Sequence, residues 1–430
     1  VTRFSRPAAA VLAALSLPSP GSAAPAAEPF RVGESSRVGE SFRVGESFRV
    51  GDALLEPVDT AALPGFPGAD PAATLAAFRR TCRTRPATPQ PATVMGSAEA
   101  LAAACARAET VAETMPETVA EAEATRFFSE AFAAYRIVRP AAGGNPERRT
   151  GFLTGYFEPE LVGSATPSPD FTAAVLARPD DLVGLEPGET RPGLDPALRA
   201  ARRVGDGFEP YPDRAAIEDG VLGDRARPLL YLRDAVDLFV LQVQGSGRVR
   251  LTDGRSVRVL YDGRNGRPYT SIGKLIVAEG HLPLDGLTLA RWTGWLRANP
   301  AQAKRLMRVN ASYIFFRLAE IDDPALGPPG GAGVPLSPGR NLAVDATLWR
   351  YGLPFWLEGR IAGSPDPGRL VVAADTGSAI VGPARGDLYL GTGAEAGIAA
   401  GNLRDPVGFV VLLPKPETNP KPSPETRRAP

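Results

Sequence analysis

One histidine, His281, stands in the whole 430-residue chain. A zinc site built on two or three imidazoles is therefore excluded, and any Ser-His or Cys-His mechanism would have to use this residue. His281 lies in EGHLPLDG, where a helix exits into a turn, and reads as a surface residue. Nucleotide signatures are missing too. There is no GxxxxGK followed by Ser or Thr, and no GxGxxG between a strand and a helix. Neither charge sign dominates, with Lys plus Arg and Asp plus Glu at 48 each, so nothing points to nucleic acid or an anionic lipid surface. No cofactor and no metal is expected.

Cysteine is scarce: Cys82 and Cys105 are the two. Such a pair is a disulfide outside the cytoplasm or two buried thiols inside it. The N-terminus helps to choose. Arg3 and Arg6 precede an apolar run, residues 8–17, followed by Pro18, Pro20 and the small residues 21–24. This is the pattern of a secretory signal peptide, placed at 1–25, and the run is too short to span a membrane. Export and a Cys82–Cys105 disulfide are expected. No cysteine follows the run closely, so a lipid anchor is not.

Glycine (46) and proline (44) are abundant instead, favouring turn-rich β structure over a helical bundle. A six-residue unit repeats as FRVGES, SRVGES, FRVGES and FRVGDA from Phe30, Ser36, Phe42 and Phe48. Four short copies bury little, so residues 26–71 read as a low-complexity linker. Helices are predicted around 75–82, 98–108 and 116–132, the last opened by Pro116 with Phe128 and Phe132 on one face. Residues 152–161 read as a strand broken at Gly155, with Tyr156 beside a core and Glu158 as an exposed acid. After a polar, proline-rich passage, Pro212 and Asp213 start a short helix over Arg214–Glu218. Residues 238–244 read as a strand whose polar face carries Gln242 and Gln244, continued by Ser246 in the Gly245-Ser246-Gly247 turn. Asp253-Gly254 then makes a hairpin. Amides and hydroxyls beside Tyr211, Tyr261 and Tyr269 suit sugars. Helices follow at 271–279, 287–298 and from an Asn299 cap to 309.

The C-terminal third repeats one arrangement, a short apolar run meeting an acid. Residues 342–344 end at Asp345, 370–374 end at Asp375, and 388–390 follow Asp387. Gly377, Gly382, Gly386, Gly391, Gly393 and Gly397 surround the last two, as tight turns and close backbone approach require.

The segments GYFEPEL, YPDRAAIEDG, LQVQGSGRVRL, NGRPYTSIGKL, NASYIFFR, GRNLAVD, AADTGSAI and GDLYLGTGAEAGIAAG, in this order, resemble the membrane-bound lytic transglycosylase A family over residues 72–414. The resemblance implies a mainly β fold with peripheral helices: a double-psi β-barrel domain interrupted by a second, smaller β-barrel domain, with a glycan groove between them. The first domain would comprise 72–161 and a 3D part, 318–414. The insert would be 162–317, and 415–430 a disordered tail. It implies cleavage of the MurNAc-β-1,4-GlcNAc bond of peptidoglycan with 1,6-anhydro-MurNAc ends. Asp387 is then the catalytic acid, Asp375 its partner and Asp345 a supporting residue. Tyr156, Gln242, Gln244, Ser246 and Gly391 are candidate substrate contacts. Glycan strands are the partner of an expected monomer in the periplasm or at the periplasmic face of the outer membrane, with cell-wall synthesis or recycling complexes as further candidates. The family often reads DTGGAI where this chain has Ser378. A noncatalytic glycan binder and a hydrolase, with Asp375 or Glu395 activating water, are the alternatives.

One carboxylate suffices for this chemistry because the attacking C6 hydroxyl is tethered to the sugar it attacks. Asp387 would donate a proton to the leaving oxygen and then take one from that hydroxyl. A dry groove and the nearby charge of Asp375 are what would keep it protonated.

Overall fold

The computed structural model describes residues 44–416, apart from 85–89, 91–94, 112–116, 142–145, 186–188, 362, 365–366 and 378. The signal-peptide reading, the first two repeats and Ser378 lie outside the described residues.

The first element among the described residues is a hairpin, β1 (Phe48–Val50) and β2 (Ala53–Val58), in register Val50↔Ala53. Three helices follow: α1 (Pro71–Cys82), α2 (Ala98–Thr110) and α3 (Glu117–Ala131). Asp70 and Ser97 cap the first two through their side chains. A disulfide joins Cys82 to Cys105, fastening α1 to α2. Next come β3 (Phe132–Val138) and β4 (Phe152–Glu158). Phe132 is thus the first residue of a strand, one past the helix predicted to hold it.

The hairpin corrects the linker reading. Leu55 and Ala53 are fully buried, and β2 pairs antiparallel with β3 over five residues. The last hexapeptide copy succeeds as structure because it runs into ALLEPV, a segment that can bury alternate residues against a strand already in place. Repetition hid a boundary between spacer and sheet.

Beyond β4 the chain enters a second sheet. Its elements are β5 (Glu160–Ser164), β6 (Ala173–Leu176), a small three-stranded sheet of β7 (Leu182–Gly184), β8 (Ala200–Val204) and β9 (Gly207–Pro210), then α4 (Arg214–Glu218), β10 (Pro228–Leu232), α5 (Ala235–Gln244), β11 (Ser246–Leu251), β12 (Ser256–Arg264), α6 (Ile272–Ala278), α7 (Leu289–Ala298), α8 (Pro300–Val309) and β13 (Ile314–Ala319). Six of these strands form one sheet in the order β13-β12-β11-β5-β10-β6.

Residues 238–244 are helical, contrary to the strand prediction. Asp234 caps α5, accepting from Val236 and Asp237 N–H, and Gly245 ends it in the left-handed region at φ 81°. Val236, Phe239 and Val240 bury one side, the spacing of a helix. A short apolar run fits either period, and the cap and terminal glycine decide. Gly245 is therefore a helix terminus and not a turn between strands. Asn299, predicted as a cap, precedes α8 without a side-chain capping bond; its Nδ2 donates to Trp295 O.

The chain then returns to the first sheet through β14 (Asn341–Ala343), β15 (Pro354–Glu358), β16 (Gly368–Asp375), β17 (Arg385–Thr392), α9 (Gly393–Asn402), β18 (Arg404–Asp405) and β19 (Gly408–Pro414). The ten strands run β1-β2-β3-β19-β15-β16-β14-β17-β4-β18 in a nearly closed barrel. β16 and β19 are buried on both faces. Val371, Ala373, Phe409 and Val411 face one core with Leu388, Phe355 and Leu153, while Leu370, Val372, Val410 and Leu412 face Phe78, Phe127 and Phe128 of the helices. Continuous apolar runs are what such doubly covered strands need.

Candidate active site

β4 and β17 pair in parallel, and three residues of one strand stand opposite three of the other: Thr154↔Asp387, Tyr156↔Tyr389 and Glu158↔Thr392. Alternate residues share a face, so this one face of β4 presents Thr154, Tyr156 and Glu158. β14 lies on the other side of β17, and its Ala343 registers with both Asp387 and Asp375 of β16. The two acids therefore sit level on strands two apart. Asp387 lies inside β17, where an acid just ahead of the strand was predicted.

Asp387 is packed closely by protein atoms yet keeps some accessible surface. Its Oδ1 accepts the Thr154 hydroxyl at 2.6 Å. Burial pushes its carboxyl up to about 6, against the Thr154 hydrogen bond and the Arg385 charge, with a further upward push from Asp375. Asp375 is held differently. Its Oδ2 accepts the Tyr156 hydroxyl at 2.7 Å, and its Oδ1 accepts the Gly331 and Thr376 N–H groups at 2.8 and 2.9 Å. Burial raises its pKa, and those three donors oppose the rise. Tyr156 packs on Tyr389 at 5.3 Å between ring centres, and burial followed by the Asp375 charge holds its phenol well above the ordinary value. Tyr156, expected as a sugar contact, is half-buried and spends its hydroxyl on Asp375.

Asp345 is 7% exposed and does not join the other two. It accepts from Thr347 N–H and Oγ1 and, through Oδ2, from Gly382 N–H at 2.8 Å. It ties down the turn that follows Asp375. Gly391 is buried at φ 114°, a conformation that favours glycine, with Pro338 and Ala396 beside it. Glu395 is exposed in the first turn of α9.

The amide candidates are not a sugar-facing strand surface. Gln242 is 5% exposed and donates to Ile314 O; Ser246 is buried at the start of β11. Gln244 Oε1 accepts from Phe157 N–H and stitches the end of α5 to β4. Tyr211 is fully buried on Asp181, while Tyr261 and Tyr269 remain exposed.

Three features escaped the sequence reading. Thr154 and Arg385 each stand two residues from a recognised one, a spacing that in a strand means the same face. Glu158, taken as an exposed acid, is fully buried. Arg248 and Arg258, directly opposite each other on β11 and β12, both bind it, as does Thr392 Oγ1. Two facing guanidiniums repel each other, and the buried carboxylate between them removes that cost. Among the described residues no group of three or more His, Cys, Asp or Glu side chains is placed to hold a metal ion.

A ten-stranded barrel sheet carrying two level acids and an inserted six-stranded sheet define a class that the comparisons make specific. A family model described as the MltA specific insert domain matches residues 152–317, and one described as the 3D domain matches 340–413. A membrane-bound lytic murein transglycosylase A from Vibrio cholerae is 33% identical over 283 residues, 63% of this chain and 68% of that protein. A crystal structure of a membrane-bound lytic murein transglycosylase from Agrobacterium tumefaciens is 33% identical with a TM-score of 0.72, covering 84% of this chain and 97% of that one. MltA from Neisseria gonorrhoeae, at 29% identity, gives 0.68 over 88% and 98%. The chain belongs to the membrane-bound lytic murein transglycosylase A family, a family of enzymes.

Proposed function

We propose that this protein is a peptidoglycan lytic transglycosylase that cleaves the MurNAc-β-1,4-GlcNAc bond and closes the muramic residue to a 1,6-anhydro end, with Asp387 as acid and then base. The observation that carries the reading is the unequal occupancy of the two carboxylates. Asp387 has one oxygen on Thr154, and among the described residues no hydrogen-bond donor reaches the other, which is left for substrate. Asp375 has three donors on its two oxygens, a poor state for activating water. Asp345 and Glu158 are likewise engaged by their own donors. With no second unengaged carboxylate in this cluster among the described residues, an intramolecular nucleophile suits the geometry better than a water-activating pair, which needs two carboxylates flanking the bond.

Burial keeps Asp387 partly protonated near neutral pH, as a general acid needs. Once the leaving oxygen has taken the proton, the carboxylate is the base for the C6 hydroxyl. Asp375 holds negative charge nearby and raises the proton affinity of Asp387. The disulfide supports an oxidising location outside the cytoplasm. Among the described residues no helix is long and apolar enough to cross a membrane.

Mass spectrometry of peptidoglycan digests tests the reading. Anhydro ends are expected. Reducing ends one water heavier would make the protein a hydrolase, and intact glycan that still retains the protein would make it a binder.

A further inference from the structure

Arg385 and Asp387 are alternate residues of β17, and Thr154 stands opposite Asp387 on β4. Arg385 Nη2 donates to Thr154 Oγ1 at 2.7 Å, and Thr154 Oγ1 donates to Asp387 Oδ1 at 2.6 Å. The guanidinium is fixed from two further directions. It lies 5.4 Å from the centre of the Phe152 ring, and its Nη1 donates to the main-chain oxygens of Phe152 and Gly386. A guanidinium has five N–H donors, no acceptor and no tendency to lose a proton, so the direction of its bond to the hydroxyl is not in question. The threonine oxygen receives that N–H, and the positive charge beside it makes it a weaker acceptor and a stronger donor. Its own proton goes to Asp387 Oδ1. An oxygen that already receives a proton is a poor seat for the carboxyl's own.

We infer that Arg385 is a positioning residue which, through Thr154, keeps the transferable proton of Asp387 on Oδ2, the oxygen left for substrate. The inference rests on the lytic transglycosylase reading. In the first half-reaction the Oδ2–H bond breaks, the proton passes to the glycosidic oxygen, and that oxygen keeps the electron pair of its broken bond to C1. In the second, the C6 oxygen bonds to C1 and its proton returns to Oδ2. Protons and electrons balance, and the Thr154 proton stays where it was. The groups facing Asp387 are Thr154 and Tyr156 from β4, Arg385 from its own strand and Asp375 from β16. Of these, Arg385 and Thr154 lower its proton affinity, so their loss shifts it upward while leaving the proton badly placed.

The test compares wild type with Arg385→Met, Arg385→Lys, Thr154→Val, Thr154→Ser and the Arg385→Met/Thr154→Val pair. Anhydro-end release from soluble glycan strands is measured from about pH 4 to about pH 9, with thermal melts to establish folding. Arg385→Met should lower kcat about 10- to 100-fold with KM little changed, and move the alkaline limb up by about one pH unit. Thr154→Val should do the same, and the pair should be no worse than either alone. Thr154→Ser should keep the wild-type rate and limb, while Arg385→Lys, losing the fork, should fall between wild type and Met. A merely structural role would lower the rate without moving the limb. A wild-type rate and limb in Arg385→Met, or additive losses in the pair, would overturn the inference. If Arg385→Met fails to fold, an unchanged limb in a folded Arg385→Lys overturns it instead. Wild-type enzyme that releases no anhydro ends would overturn the underlying reading first, a distinct result.

Discussion

Asp375 and Asp387 occupy the same level of one sheet, and almost everything else about them differs. Asp375 ends its strand, where the chain turns, so main-chain N–H groups of Gly331 and Thr376 reach it along with a phenol. Asp387 lies within a strand, where the neighbouring backbone is already paired, and it receives one side-chain hydroxyl. Both are pushed up by burial, but the offsetting donors are three for one and a single hydroxyl, with the Arg385 charge, for the other. The lesson is that position along a strand sets how many donors an acid attracts, and so whether it is free to move a proton.

The strongest way to break this comparison is Asp387→Asn. Activity should fall about 10²- to 10⁴-fold, measured as anhydro-end release. The same variant should be the more stable one near pH 7. The folded-state pKa of Asp387 lies above its unfolded value, so the stability its proton brings is present below about pH 4 and is lost as pH rises through about 6. Asparagine avoids that loss, and melts should show a gain of about 1–3 kcal/mol at neutral pH that vanishes near pH 4. An active variant, or one less stable than wild type at pH 7, would end the assignment.

Glu158 extends the comparison to an acid with no exposed surface. Glu158→Gln leaves Arg248 and Arg258 facing each other without a charge between them. Denaturant unfolding should show a loss of about 3–5 kcal/mol. A loss below 1 kcal/mol would show that the network is better solvated than its burial indicates. Asp375→Asn should have the smallest effect of the three. Removing its charge takes away one upward push on Asp387, so the alkaline limb of the rate profile should move down, by up to about one pH unit, with a rate loss of about tenfold. An upward move would mean that Asp375 acts on Asp387 through something other than its charge.

Much of this site was legible because acids at the ends of apolar runs, set among glycines, leave a local mark. Asp375 and Asp387 follow from it; Pro212 and Asp213 leave a separate local mark for the short helix over Arg214–Glu218, which Asp213 caps by accepting from Ala216 N–H. What stayed hidden depends on partners far along the chain. Glu158 is buried because Arg248 and Arg258 lie 90 and 100 residues away, and no local property of EPEL distinguishes it from a surface acid. The amides at 242 and 244 looked alternate in a strand, yet a cap eight residues earlier made them helical. Thr154 and Arg385 did leave a local signal: each lies one strand period from a residue already singled out, Tyr156 and Asp387, and so shares its face.

The two ways in and out of the inserted sheet are unequal. On the way out, Pro159 alone separates β4 from β5, and its carbonyl is held by Arg248 N–H at 2.8 Å. On the way back, residues 320–340 form a long connection that carries Gly331 to Asp375. One attachment is short and the other long, and the long one is itself fastened to the barrel: Ala332 N–H bonds Ala374 O, Gly339 N–H bonds Tyr389 O, and Val334 and Leu336 are buried. Both attachments therefore end on the acids: β4 holds Asp387 through Thr154 and Asp375 through Tyr156, and the return connection holds Asp375 through Gly331, so a displacement of the inserted sheet is transmitted to the two carboxylates from both sides.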